Sequence, residues 1–297
     1  MQTQNQMRGV AAMMLSGFTF VINDSLMKLT LQSLPPYEVL VLRGLAGILF
    51  AFLFLIYRGE AMLRVNYFSK PVMLRAMLEC VAILTYIIAL AKAPIGDVTA
   101  LFQTTPLLVI AGLVVFQGEK ASAMRISLVV LGFVGALLVA QPGRGTVSAF
   151  VMLALITAVF AAARDLAARK IASDVPAMVS TFILIVCVWF CSLVCGLLFE
   201  TWTMPPLSVL MLPIGAGLMM MLGHYFTLVA YRSATAQTVA PFYYSFMVFA
   251  VIAGYFIFQD VPNTLGFIGM GVIILSGLAI LLTEKPERAD VFQSSDL

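Results

Sequence analysis

Apolar residues run through this chain in ten nearly unbroken stretches separated by short polar segments. The stretches are Arg8 to Leu29, Pro36 to Tyr57, Pro71 to Ala91, Pro94 to Phe116, Ala121 to Ala140, Thr146 to Arg169, Pro176 to Phe199, Pro206 to Tyr231, Thr235 to Phe258 and Pro262 to Thr283. Each is close to the ~20 residues a helix needs to cross hydrocarbon. The runs are continuous and lack the alternation of a lipid-facing strand, so helices are predicted and a barrel is not. Pro36, Pro71, Pro94, Pro176, Pro206 and Pro262 stand at helix starts, where a missing N–H costs little. The first stretch follows one positive charge and lacks a small-residue cleavage site, so it is expected to be a retained span and not a signal peptide.

Composition strengthens this picture. The 297 residues are 62% hydrophobic and 10% charged, against roughly 45–50% and 25% in soluble domains. Assigning the N-terminus to the cytoplasm puts eleven basic residues on that side: Arg8, Arg58, Arg64, Lys70, Lys120, Arg125, Arg169, Lys170, Arg232, Lys285 and Arg288. Only Lys28, Lys92 and Arg144 fall on the other. Both termini are therefore expected in the cytoplasm.

The pattern also repeats. Asp24, Lys28 and Glu119 recur as Asp165, Arg169 and Asp260 at an offset of 141 residues. Phe116-Gln117-Gly118-Glu119 is echoed by Phe258-Gln259-Asp260. With five spans in each half, the second half enters the membrane from the opposite side. The expected fold is an all-α integral membrane protein of ten transmembrane helices, arranged as two inverted five-helix repeats. The first repeat would occupy residues 1–142 and the second 143–284, followed by a polar cytoplasmic tail at 285–297.

A charge within a span costs at least ~2.5–3.5 kcal/mol by insertion scales, which makes each one a candidate for function. Asp24 with Lys28, and Asp165 with Arg169, read as i,i+4 pairs or helix-end anchors. Arg43 and Arg75 are expected to snorkel towards opposite interfaces. Asp97 suits the positive end of the fourth helix. Glu79 lies nine residues beyond Lys70, ~13 Å along a helix and so near the midplane. It is either neutralised by Arg75 or a substrate or proton site.

Polar and aromatic residues gather at similar depth. The fourth span reads Phe102-Gln103-Thr104-Thr105-Pro106 and the ninth Pro241-Phe242-Tyr243-Tyr244-Ser245. Pro106 and Pro241 each remove a helical hydrogen bond, so the carbonyls of Phe102 and Gln237 are expected to face a cavity. Tyr86 and Tyr225 occupy similar places in the third and eighth spans, with His224 beside the latter. Phe18, Phe20 and Phe160 can face lipid, and Asn23 and Arg164 are weaker candidates. The expected substrate-binding set is Asn23, Glu79, Tyr86, Phe102, Gln103, Phe160, His224, Tyr225, Tyr243 and Tyr244, with helix breaks at Pro106 and Pro241. Cys187, Cys191 and Cys195 form one stripe that reads as packing, so no metal site is expected. The motifs of metalloproteases, α/β-hydrolases, P-loop proteins and dinucleotide-binding domains are absent. An enzyme is not expected, and no cofactor is implied.

Ten spans as two five-span repeats, a basic residue closing the first span of each half and an acidic one following the fourth resemble the EamA family of the drug/metabolite transporter superfamily. The resemblance covers nearly the whole chain. Within the family the chain is similar to the YddG-type exporters of aromatic amino acids. The resemblance implies a bacterial inner-membrane exporter with a central cavity lined by the third, fourth, eighth and ninth spans together with the first and sixth. The reading is thus a secondary transporter that exports amino acids, aromatic or bulky apolar ones preferred, or related small metabolites, by alternating access. Its partners would be a small-molecule substrate and membrane lipid, with no nucleic acid, and its unit a monomer. A multidrug or cationic-compound exporter using Glu79, and an intramembrane lipid-processing enzyme, are the alternatives.

Overall fold

In the computed structural model, residues 2–59, 68–117, 122–141, 146–168, 170–171, 175–202, 205–234 and 239–283 are described. Their regular structure is entirely helical. The elements are α1 (Gln2–Thr30), α2 (Pro36–Arg58), α3 (Lys70–Lys92), α4 (Ile95–Phe102), α5 (Thr105–Gln117), α6 (Ala123–Ala140), α7 (Thr146–Ala168), α8 (Ala177–Phe199), α9 (Leu207–Ser233), a 3-10 turn at Ala240–Tyr244, α10 (Ser245–Phe258) and α11 (Thr264–Thr283). The ten expected spans are all present, the fourth as α4 with α5 and the ninth as the 3-10 turn with α10. Seven are long and apolar enough to cross a membrane, and Ile126–Val139, Phe242–Phe258 and Thr264–Ile280 are shorter apolar helices among the described residues.

Local chemistry explains the boundaries. Pro36 and Pro71 sit in the first helical turn of α2 and α3, while Pro94, Pro176 and Pro206 immediately precede α4, α8 and α9. Proline's fixed φ suits these positions, and the N–H it lacks would have no intrahelical acceptor there. At the other end of α2, Gly59 adopts a left-handed φ of 67° and donates back to the carbonyls of Ile56 and Leu55. The start of α2 is also capped from outside. The Glu200 carboxylate at the end of α8 accepts from the backbone N–H groups of Tyr37 and Glu38 at 2.9–3.1 Å.

Helix packing obeys a two-fold rule. The third helix of each half lies against the first of the other, as α3 on α7 and α9 on α1. The second helices pair as α2 with α8, the fourth as α4 with α10, and the fifth as α6 with α11. The two cross pairs run antiparallel. Thr85 bonds Thr157 and Glu79 bonds Arg164, so moving forward along α3 moves backward along α7. Gly9 abuts Ala230 and Ala234 while Ser16 bonds Gly223 and Thr227, so α1 and α9 are antiparallel as well. Equivalent helices of two parallel repeats would run the same way, so these directions make the repeat an inverted one.

Close approach is set by small residues, as membrane interfaces favour. A Cβ on Gly135 would lie 2.8 Å from the Gly269 carbonyl oxygen, and one on Gly269 2.6 Å from the Gly135 carbonyl. Here α6 and α11 touch backbone to backbone. Between the halves, Val21, Met27, Leu101 and Met247 belong to one buried cluster that also holds Tyr86. Phe18, Phe116, Phe199 and Phe256 are exposed, as apolar residues facing lipid would be.

Arg169, Glu119 and the Gln237 carbonyl lie outside the described residues, as do the 142/143 boundary and the tail at 285–297.

Candidate functional site

On α3, Glu79 faces α7 and not its own helix. Arg164 Nη1 donates to Glu79 Oε2 at 2.6 Å, and Arg164 Nε donates to Asp165 Oδ1 at 2.8 Å. Arg75, the expected partner, instead donates to Ser180 Oγ on α8 at 2.6 Å. The correction has a geometric cause: α3 packs against both α7 and α8, so neighbouring faces of α3 meet different helices. Arg164, the weaker candidate in sequence, is the residue that closes on Glu79.

Asp24 and Lys28 are likewise partners of other groups and not of each other. Tyr86 Oη donates to Asp24 Oδ2 at 2.6 Å, and Asn23 Nδ2 donates to Asp24 Oδ1 at 2.8 Å. Lys28 Nζ donates to the Ala93 carbonyl at 2.6 Å and meets Asp260 Oδ2 at 3.3 Å, with its charge 5.1 Å from the centre of the Phe258 ring. The last turn of α1 reaches the α3–α4 connection and the end of α10, which offer a carbonyl, a carboxylate and a ring face to the ammonium. The bridge links the two halves at the end where α1 terminates. Asp97 lies in the first turn of α4, as expected.

Arg43 does not snorkel. It is only 6% exposed, because α2 packs against α8 and α9 at that level. Its Nη1 donates to the thioether of Met27 at 3.1 Å.

The fourth and ninth spans break where the prolines indicate, and the breaks touch. Fully buried Gln103 lies between α4 and α5, and its Nε2 donates to the carbonyl of Tyr243 at 3.1 Å. The Phe102 carbonyl, however, does not stand free. Thr105 Oγ1 donates to it at 2.6 Å, and Thr104 Oγ1 donates to the Leu101 carbonyl at 2.6 Å. The Thr105 hydroxyl replaces, at the Phe102 carbonyl, the amide that proline removes. Pro106 therefore opens a new helix and does not bend a continuous one, and Pro241 stands at the start of the 3-10 turn.

The aromatic candidates separate by position. Tyr86 is buried and meets Phe102 edge to face at 5.6 Å. Tyr244 is buried with its hydroxyl against Gly277, and Tyr243 and Phe160 are half-buried. His224 packs edge to face on Phe20 at 5.2 Å. Tyr225, 37% exposed, packs on Phe54 of α2 and on Phe226 and is not brought to the centre. What the fold does join is a continuous line: Asn23 and Asp24 on α1, Tyr86 on α3, Phe102 and Gln103 at the break, and the Tyr243 carbonyl of the other half. Glu79 lies seven residues before Tyr86 on α3, on the same face of that helix. Among the described residues no group of three or more His, Cys, Asp or Glu side chains is set to hold a metal ion.

Asp24, Arg43 and Arg164 are the polar residues that sequence reading undervalued. Each was an ionisable group inside a span, and that alone marks a site. Asp24 reads locally as a helix-end pair with Lys28 and Arg43 as a snorkelling residue, and the partner of Arg164 lies on another helix.

Comparison with known proteins agrees with this architecture. The model of the EamA-like transporter family matches residues 7–141 and again residues 148–283. The chain is 26% identical over 286 residues to the pseudopaline exporter of Pseudomonas aeruginosa, covering 93% of this chain and 97% of that one. It is 31% identical over 207 residues to the riboflavin transporter of Vibrio cholerae, covering 69% and 68%. It is 24% identical over 290 residues to the S-adenosylmethionine uptake transporter of Rickettsia prowazekii, covering 97% of both. One solved protein structure shares the fold at a TM-score of 0.64 and 19% identity, covering 91% of this chain and 96% of the other. These relatives are named for metabolites other than aromatic amino acids, so the narrower resemblance to aromatic amino acid exporters is not carried by them.

Proposed function

The chain belongs to the EamA-like transporter family, and from that premise we propose that it is a secondary transporter exporting amino acids, with aromatic or bulky apolar side chains preferred, or a related small metabolite. The observation that carries this reading is the line of polar and aromatic groups from Asn23 and Asp24 through Tyr86 and Phe102 to Gln103 and Tyr243, which crosses from one half to the other. A substrate held there touches both repeats, so rocking one against the other changes its access from one face of the membrane to the other. Tyr86 and Phe102 offer ring faces and edges to an apolar side chain. Tyr243, whose carbonyl accepts from Gln103, brings the second half to that surface. Buried polar groups around the line reject substrates that leave them unpaired.

The family setting and the charge asymmetry support a bacterial inner-membrane protein with both termini cytoplasmic. Glu79 already holds Arg164 at 2.6 Å. A cationic drug would have to displace a guanidinium to use it, which disfavours the multidrug reading. Counterflow in proteoliposomes tests the proposal. Internal L-phenylalanine, L-tryptophan or L-leucine is expected to drive exchange of the labelled amino acid, whereas ethidium is expected to drive none. Exchange of ethidium or riboflavin without any amino acid would replace this reading.

A further inference from the structure

The residue least explained by packing is Arg43. A guanidinium presents five N–H donors, yet among the described residues the acceptor of its one hydrogen bond is the Met27 sulfur at 3.1 Å, and its buried Nε has no partner there. A thioether is a weak acceptor and carries no charge. Elsewhere in this molecule a guanidinium that neutralises a carboxylate closes on it, as Arg164 does on Glu79. Arg43 and Asp24 act on each other electrostatically but form no such pair, and the hydrogen bonds that Asp24 accepts come from the neutral donors Tyr86 and Asn23. Asn23 Oδ1 in turn is buried with no donor among the described residues. Its amide orientation is set by the bond to Asp24, since a carboxylate accepts only donors. Thus among the described residues Arg43 closes on no carboxylate, Asp24 accepts from neutral donors, and the Asn23 amide oxygen has no donor.

Depth places these groups together. Asp24 precedes the end of α1 by six residues and Arg43 follows the start of α2 by seven. Tyr86 and Phe102 stand the same six and seven residues from the end of α3 and the start of α4. All four lie ~9–11 Å along their helices from the same face of the bundle.

We infer that Arg43 and the Asn23–Asp24 pair form the head-group site for a zwitterionic substrate of the α-amino acid type, Arg43 taking the carboxylate and Asn23 with Asp24 the ammonium. The planar fork of arginine matches a carboxylate bidentately. The Tyr86–Phe102 edge-to-face pair adjoins the head group and receives the side chain. This rests on the transport reading above and adds which end of the substrate each residue holds.

The test uses the full-length protein, purified in detergent, with affinity read from thermal stabilisation by L-phenylalanine, phenethylamine (no carboxylate) and 3-phenylpropanoate (no amine). In the wild type both truncated compounds are expected to bind at least about tenfold more weakly than phenylalanine. In Arg43→Gln and Arg43→Lys, phenylalanine should weaken about tenfold, to the level of phenethylamine, while phenethylamine itself shifts less than about twofold. Asp24→Asn should give the mirror result, with phenylpropanoate unchanged. Should Arg43→Gln fail to fold, Arg43→Lys and Asp24→Asn decide the matter by the same comparison. Equal loss for all three compounds, or no loss, overturns the inference. A wild type that exchanges no amino acid in counterflow refutes the transport reading and this inference with it. A wild type that exchanges phenylalanine, with head-group discrimination unchanged in the variants, refutes the inference alone.

Discussion

Glu79 shows how a buried charge chooses its neighbour. The i,i+4 rule offers Arg75, but a residue on the same helix has to bend its side chain along the axis, whereas Arg164 arrives from α7 with its N–H directed at the carboxylate. Breaking such a pair costs about 3–5 kcal/mol when it leaves a charge uncompensated. Glu79→Gln leaves Arg164 with Asp165, whose side chain is 43% exposed, so the loss should fall near the lower end and appear as reduced membrane abundance. Glu79→Gln with Arg164→Gln should recover that abundance but not transport, because the pair stands on the face of α3 that also carries Tyr86. Recovery of transport in the double variant would make the pair purely structural. Arg75→Gln in place of Arg164→Gln should rescue neither, since Arg75 is engaged with Ser180.

The broken fourth span is a property of two residue types acting together. Proline denies the Phe102 carbonyl its amide, and Thr105 supplies a hydroxyl instead. Pro106→Ala alone restores the amide but leaves the competing hydroxyl, so transport should fall by less than about threefold, under ~1 kcal/mol in barrier. Thr105→Val with Pro106→Ala removes both, letting α4 and α5 merge into a continuous helix that withdraws Gln103 from Tyr243. Transport should then fall at least about tenfold, near 1.4 kcal/mol, at equal membrane abundance. Wild-type rates in this double variant would remove the break from the mechanism.

At the scale of the molecule, the antiparallel pairs α1–α9 and α3–α7 put the two halves in opposite senses. The ends of α1, α3 and α10 gather at one face, where Lys28, Ala93 and Asp260 join the halves. In a protein whose four cysteines are changed to alanine, a cysteine at Ser69 should be labelled only from the cytoplasm and one at Thr201 only from outside. Labelling of position 69 from outside would reverse the orientation that the basic residues imply. The inverted relation between the halves would be unaffected, because it follows from helix directions.

The ten spans, their proline starts and the two breaks were legible along the chain, because lipid imposes a length on each helix and proline acts within one turn. The repeat was legible for the same reason, as spacing. Which groups meet was not. Asp24 and Asp165 are equivalent in sequence, yet one is buried under Tyr86 and the other half-exposed beside Arg164. Lys28 left its i,i+4 neighbour for Ala93 and Asp260, and Arg43 was held in the interior when its sequence position allowed the interface. Hydrophobic pattern and turn chemistry are local and survive any tertiary arrangement. A buried charge takes whatever partner stands in line across the interhelical gap, and that position exists only once the two halves have packed.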